Sequence, residues 1–313
     1  MTVNWQSLYP FASHELNLEG LRYHYVDEGQ GEPLLLLHGN PTWSFMWRKL
    51  ILAFRDRYRV IVPDHIGCGL SDKPVRHEYR LGRFMRYQYS LVRHIENLLR
   101  LIYELDLREV TLIAHDWGGS IGLGAAQESP ERYRRFVMMN TAAFRSPYIP
   151  WQIRLARTPI LGTLANRGLN LFLRGALRSA LAHPERITPE VRAGYLAPYQ
   201  SWQARVAIDQ FVKDIPRSPR QYTYGTLLNI EQNLPMLADR PWLFVWGMRD
   251  WCFHEWYLNR FVDLIPQAEV CRLPDAGHLV MEDAPDEVIQ AIDQFLSRTA
   301  CPQASTSALP KSN

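Results

Sequence analysis

Asp116, Asp250 and His278 are the residues whose types and spacing carry chemistry in this chain. Asp116 stands in Ala114-His115-Asp116-Trp117-Gly118-Gly119, between the apolar run Val110 to Ala114 and a second run that begins at Ser120 and Ile121. Small residues at 114, 118 and 119 let a strand turn sharply into a helix and leave the apical side chain exposed, the geometry of a nucleophile elbow. Where G-x-S-x-G elbows carry serine, this one carries a carboxylate. A carboxylate is a weak nucleophile toward esters but displaces a good leaving group from saturated carbon, forming an alkyl ester of the enzyme. Water activated on a histidine then hydrolyses that ester at its own carbonyl and releases an alcohol. The plain alternative is an ordinary turn in which Asp116 caps a helix.

The elements that must position these residues emerge from hydrophobic periodicity. His14 to Asp27 reads as two alternating strands of an antiparallel edge, and Pro33 to Leu37 as a strand buried on both faces that ends in His38-Gly39-Asn40-Pro41. Ser44 is expected to cap a helix through Phe54, with a strand over Tyr58 to Val62 and a Gly-rich loop from His65 to Pro74 after it. A helix over Ser90 to Leu105 places Leu91, Ile95, Leu98, Leu99, Ile102 and Leu105 on one face. Strand and helix alternate again through Val110 to Ala114, the elbow helix and Phe136 to Asn140. Such repetition specifies a mostly parallel sheet flanked by helices, an α/β fold. Residues 146–220, rich in Arg and Pro with no strand candidate, read as an inserted α-helical cap over the carboxyl ends of the strands. The core, 1–145, resumes over 221–299 with a helix at Tyr222 to Leu237, strands at Trp242 to Trp246 and Ala268 to Leu273, and a helix at Pro285 to Leu296. The polar tail 300–313 is expected to be disordered.

With 313 residues, 47% of them hydrophobic, the chain can bury one large core that carries such an insertion. Lys plus Arg of 35 against Asp plus Glu of 32 leaves a net charge of +3, too balanced to imply nucleic acid or an acidic membrane as the principal partner, and points to a small apolar substrate. Cys68, Cys252, Cys271 and Cys301 are scattered without metal-ligand spacing and read as free thiols. With no apolar signal segment near residue 1 and no run long enough to span a membrane, a cytoplasmic location is expected. No metal or organic cofactor is called for. Arg132, Arg134 and Arg135 read as a solvated basic face, and His115 as a satisfied core histidine turned away from the apex.

Asp116, Asp250 and His278 each come directly after a strand, in the order nucleophile, acid, base described for α/β-hydrolases. His38 to Thr42, Pro63 to Pro74, Ala114 to Gly119 and Asp275 to Glu282 together resemble the haloalkane dehalogenases over most of residues 15–298, most closely their third subfamily. The resemblance implies an α/β-hydrolase fold, Asp116 as nucleophile, His278 as base, and Asn40 with Trp117 as donors that hold a halide and form the oxyanion hole. The acid falls to Asp250, because the other location used in that family reads Asn140-Thr141-Ala142. Asp275 is expected to brace the loop that presents His278. The β-lactone decarboxylases of bacterial olefin biosynthesis look similar in the same motifs and in the cap runs LAPYQSW and FVKDIP, so a lipid-like β-lactone stands beside a halogenated alkane as substrate. Epoxide hydrolases are a third reading; they need proton donors, for which Tyr148, Tyr195, Tyr199, Tyr222 and Tyr224 are placed. A receptor that no longer turns over is a fourth, disfavoured by an intact triad. Trp43 and Trp151 are the tryptophans expected to touch substrate, with most of the others packing.

Overall fold

The computed structural model describes residues 4–79 and 83–300. Its strands are β1 (His14–Leu18), β2 (Leu21–Glu28), β3 (Pro33–Leu37), β4 (Arg59–Pro63), β5 (Arg76–Tyr79), β6 (Arg83–Arg86), β7 (Val110–Asp116), β8 (Tyr133–Thr141), β9 (Trp242–Gly247) and β10 (Glu269–Leu273). Eight of them form one sheet in the order β1-β2-β4-β3-β7-β8-β9-β10, and β5 pairs only with β6. β1, β2 and β4 are joined antiparallel, and every pairing from β4 to β10 is parallel. The unbroken apolar runs of β3, β7 and β9 belong to central strands, whose residues are buried on both faces, whereas the alternating β1 lies at an edge.

The helices α1 (Arg48–Phe54), α2 (Leu91–Glu104) and α3 (Trp117–Glu128) come after β3, β6 and β7. Between β8 and β9 the described chain has helices and loops but no strand: α4 (Trp151–Ala156), α5 (Leu161–Thr163), α6 (Leu171–Ser179), α7 (Pro189–Leu196), α8 (Val206–Asp214) and α9 (Tyr222–Asn233). α10 (Glu255–Leu264), α11 (Val280–Asp283) and α12 (Pro285–Arg298) complete the fold. Two apolar clusters fill the two sides of the sheet. One centres on α2 and α3; the other joins α1 and α12 to the inner faces of α6 and α7.

Several expectations need correction. Ser44 does not cap α1: a 3-10 turn over Ser44–Trp47 precedes the helix, and the Ser44 backbone N–H donates instead to Asp64 Oδ1 at 2.7 Å. The β5–β6 hairpin has no signal in the sequence, because its segments carry neither alternation nor an apolar run. Arg135 is no part of a solvated face. It is fully buried in β8, where its guanidinium donates to Glu32, Thr111 Oγ1 and the Leu296 carbonyl. The expected disordered tail lies, apart from Ala300, outside the described residues.

Candidate active site

The parallel order brings β3, β7, β8, β9 and β10 side by side, so the loops at their carboxyl ends converge. Asp116 closes β7 with φ 52° and ψ −129°, a backbone that non-glycine residues rarely adopt. The surroundings enforce it: Thr141 Oγ1 donates to the Asp116 carbonyl, and a Cβ on Gly118 would collide with the Leu37 carbonyl. That close approach is what the small residues after the elbow permit. The side chain thereby stands up against the loop after β3, where the Asn40 backbone N–H donates to Asp116 Oδ1 at 2.6 Å. Gly39 is required there for the same reason, since a Cβ would strike the Asp116 carboxylate.

Asp116 Oδ2 faces His278 Nε2 at 3.7 Å, and His278 Nδ1 lies 2.8 Å from Asp250 Oδ2. Asp250, His278 and Asp116 are thus brought together in the order expected from the chain. All three are nearly inaccessible. Burial pushes the Asp116 carboxyl up to about 6 against the opposing pull of His278 and of the Trp117 and Asn40 backbone N–H groups. Burial pushes the His278 imidazole down, but the adjacent Asp250 carboxylate, helped by Asp116, outweighs it and holds the imidazole above its ordinary value. Asp250 is penalised by burial too, yet His278 and the N–H groups of Cys252 and Phe253 hold it below the usual carboxylate range.

Four further residues shape the site. Asn140, at the end of β8, donates from Nδ2 to Asp250 Oδ2 at 3.0 Å and to the Gly247 carbonyl at 3.0 Å, while its Oδ1 accepts from Gly247 N–H at 2.8 Å. An amide therefore orients the acid from the strand that could have carried the acid itself. His38 Nε2 accepts from the His65 backbone N–H, so its proton sits on Nδ1 and is donated to the Gly39 carbonyl at 2.9 Å. Thr42 donates to the same carbonyl from its backbone and its hydroxyl, which fixes the peptide whose N–H meets Asp116. Asp283 accepts from the backbone N–H groups of Gly277, Ala182 and His183, tying the His278 loop to the segment after α6. Asp275, by contrast, is exposed and pairs with Arg249 at 2.7 Å, bracing the two loops that carry the acid and the histidine.

His115 is buried but neither remote nor satisfied. Its Nε2 lies 2.8 Å from the His278 carbonyl, its ring centroid is 4.5 Å from that of His278, and its Nδ1 has no partner. Burial, with the charge of His278, drives its pKa down to about 3, so it is a neutral wall behind the site.

A pocket of about 1060 Å³, its open mouth included, rises from Asp116. Asn40, Trp117 and His278 line its floor, and its walls are apolar, with Phe144, Ile153, Phe172, Val212 and Leu227 among them. Asn40 Nδ2 donates to the Ile208 carbonyl at 3.2 Å, which commits one of its two N–H donors to α8. Trp43 is fully buried with its indole N–H on the Gly194 carbonyl, and Trp151 is largely exposed; neither lines the pocket, whereas Trp251 does. Of the tyrosines placed as proton donors only Tyr148 lines it, while Tyr195 and Tyr199 are buried on Glu282 and on the Thr42 carbonyl. Among the described residues no group of three or more His, Cys, Asp or Glu side chains is placed to hold a metal ion, and no helix is long and apolar enough to cross a membrane.

Residues 32–285 match the family model described as alpha/beta hydrolase fold. The chain is 42% identical to the cis-3-alkyl-4-alkyloxetan-2-one decarboxylase of Xanthomonas campestris pv. campestris, over 93% of this chain and 97% of that one. It is 32% identical to haloalkane dehalogenase 2 of Mycobacterium tuberculosis, over 91% and 95%. Among solved structures, the haloalkane dehalogenase DatA from Agrobacterium tumefaciens superposes with a TM-score of 0.81 at 26% identity, covering 92% of this chain and 97% of that one.

Proposed function

We infer the function from the premise that this chain belongs to the α/β-hydrolase fold family, in the branch it shares with haloalkane dehalogenases and oxetanone decarboxylases. Asp116 attacks an alkyl carbon bearing a leaving group that departs without a proton, and the natural substrate is a cis-3,4-dialkyl β-lactone. What carries this choice over a haloalkane is the identity of 42% to a decarboxylase against 32% to a dehalogenase, at similar coverage. The order of the two readings expected from sequence is therefore reversed.

The geometry supports a route in two steps. Asp116 Oδ1 is held by the Asn40 N–H, so Oδ2 is the attacking atom. It displaces the ring oxygen at C4, forming the Asp116 alkyl ester with inversion and freeing the ring carboxylate. The bond between C3 and that carboxylate then breaks. Its electron pair forms the alkene, CO2 departs, and the ester oxygen leaves C4 to restore the Asp116 carboxylate. One inversion and then an anti elimination give the cis-alkene. Neither water nor an added proton enters, and His278, kept basic by Asp250, serves as the cationic partner of whichever carboxylate is free. The apolar walls receive the two alkyl chains.

A second reading is favoured by Asn40 and Trp117 lining the floor beside Asp116, as a halide clamp would. In that reaction the leaving group is halide, and His278 activates the water that hydrolyses the ester. The two differ in whether water ever reaches the Asp116 carbonyl. Turnover of a long-chain cis-β-lactone and, separately, of a bromoalkane in water enriched in oxygen-18 separates them. Alkene and CO2 from the lactone, with no label in Asp116, is the expected result. Fast bromide release with label in Asp116 and an inert lactone would make the protein a dehalogenase.

A further inference from the structure

The helices that wall the pocket are apolar on their outer side as well. Seven of the fourteen exposed large hydrophobic side chains among the described residues fall within residues 151–171, on α4, α5, the first residue of α6 and the segments between them. Ile160 is 73% exposed, Leu161 72%, Trp151 69% and Leu169 65%. A contiguous stretch of chain that shows this much apolar surface marks an interaction site.

The charge of the same stretch has one sign. From Arg132 to Pro184 the chain has no Asp or Glu, and Arg154, Arg174 and Arg178 are exposed among the apolar residues, while Arg157 and Arg167 are half-buried with their guanidiniums on the Ile215, Lys213 and Trp202 carbonyls. α4 and α6 are two-sided: Ile153, Phe172 and Ala176 line the pocket, whereas Trp151, Arg154, Leu155, Leu171, Arg174 and Arg178 are exposed. Tyr148, Ile149 and Pro150, which lead directly into α4, also line the pocket. The outward face is thus continuous with the wall of the site.

We propose that this face docks on an anionic lipid bilayer, lying in the headgroup layer with its apolar side chains toward the acyl boundary and its arginines on lipid phosphates. Charge selects this occupant. A second copy docking by the same face would set arginine against arginine, because a two-fold interface uses one patch on both partners. An anionic bilayer supplies the missing sign and apolar depth together. Docking would place the pocket wall beside dissolved alkyl chains. The inference does not depend on which leaving group Asp116 displaces, and its readout is binding rather than turnover.

Co-sedimentation of the full chain with vesicles of phosphatidylglycerol and phosphatidylethanolamine, and separately of phosphatidylcholine, tests it. Pelleting with the anionic vesicles, weakened by high salt, and much less with phosphatidylcholine is expected. Arg174→Gln and Arg178→Gln should each lower the partition coefficient about fivefold. Combining Ile160→Ser, Leu161→Ser and Leu169→Ser should lower it about tenfold or more at unchanged unfolding temperature, since exposed apolar residues contribute little to the core. A chain that stays in the supernatant, or pelleting that survives both sets of substitutions, would overturn the proposal. So would a serine variant whose only change, by sedimentation velocity without vesicles, is loss of self-association.

Discussion

Asp116→Asn should make the protein more stable while abolishing turnover, and the gain should depend on pH in a defined window. The carboxyl sits at about 6 in the folded protein against 3.8 ordinarily, chiefly because it is buried. That displacement corresponds to about 3 kcal/mol of preference for the protonated form. A carboxyl whose folded value is raised is most comfortable below 3.8, where both folded and unfolded chains hold the proton. As pH rises through 3.8 the unfolded chain releases its proton first, and folding begins to oppose ionisation; above 6 the full cost is present. His278 offsets part of it while its imidazole is protonated, so the cost is largest once pH has passed the raised value of that imidazole. An amide at 116 keeps the acceptor for the Asn40 N–H and carries no charge. The variant should therefore gain about 1 kcal/mol at pH 4.5 and about 3 kcal/mol at pH 8. Urea unfolding of both proteins across that range measures it, with the midpoint difference converted through a common slope. A difference that is absent, constant with pH, or reversed would refute the claim that burial raises the Asp116 carboxyl.

The contacts around the triad give two further outcomes. Asn140→Ala removes one hydrogen bond to the buried Asp250 carboxylate and two to Gly247, so kcat should fall about tenfold to a hundredfold with KM little changed, and the basic limb tied to His278 should move; an unchanged pH profile would make Asn140 merely structural. His278→Ala given a bromoalkane should accumulate an alkyl ester on Asp116, seen as added mass on the intact protein, because displacement does not use the base and hydrolysis does. Given the lactone, the same variant should form alkene slowly without accumulating an adduct, and an unmodified Asp116 with the bromoalkane would count against a two-step scheme.

The parts of this site that are readable from the chain are those set by local pattern. Asp116 and Asp250 come at the ends of strands signalled by apolar runs, His278 after the weaker, mixed segment Ala268 to Leu273, and a mostly parallel sheet puts such positions at one edge. In the sequence Asn140 registers only as a missing carboxylate, because its function arises from β8 lying between β7 and β9 in space. Arg135 defeats a charge-based reading for a similar reason: its partner Glu32 is far away in the chain and is brought alongside only by the fold. Trp43 and Trp151 are misplaced by sequence reasoning because a tryptophan's reach depends on how the helices after β8 settle on the sheet. In that docking Trp43 binds the Gly194 carbonyl and Trp151 turns outward, leaving Trp251 at the pocket. Strand alternation alone misjudges His115, since it says which face a side chain takes but not that His278 arrives on that face from beyond β10.

The triad by itself does not choose between the two chemistries. Both begin with the same displacement by Asp116 Oδ2, and in both the leaving group departs as an anion needing no proton. The fate of the new ester depends on the carbon beside it. Where that carbon bears a carboxylate, loss of CO2 expels Asp116 with the electrons already in the substrate; where it does not, only water at the ester carbonyl frees the enzyme. The apolar walls above His278 slow any step that must bring in water. Loss of CO2 only moves the negative charge from the substrate carboxylate to Asp116, where His278 and the Trp117 and Asn40 N–H groups receive it against the cost of burial. Exclusion of water, rather than the burial of Asp116 itself, therefore favours decarboxylation over hydrolysis. Under the proposed reaction, selectivity then resides in how dry the pocket stays once alkyl chains fill it, which is a property of the helices after β8 rather than of Asp116, Asp250 and His278.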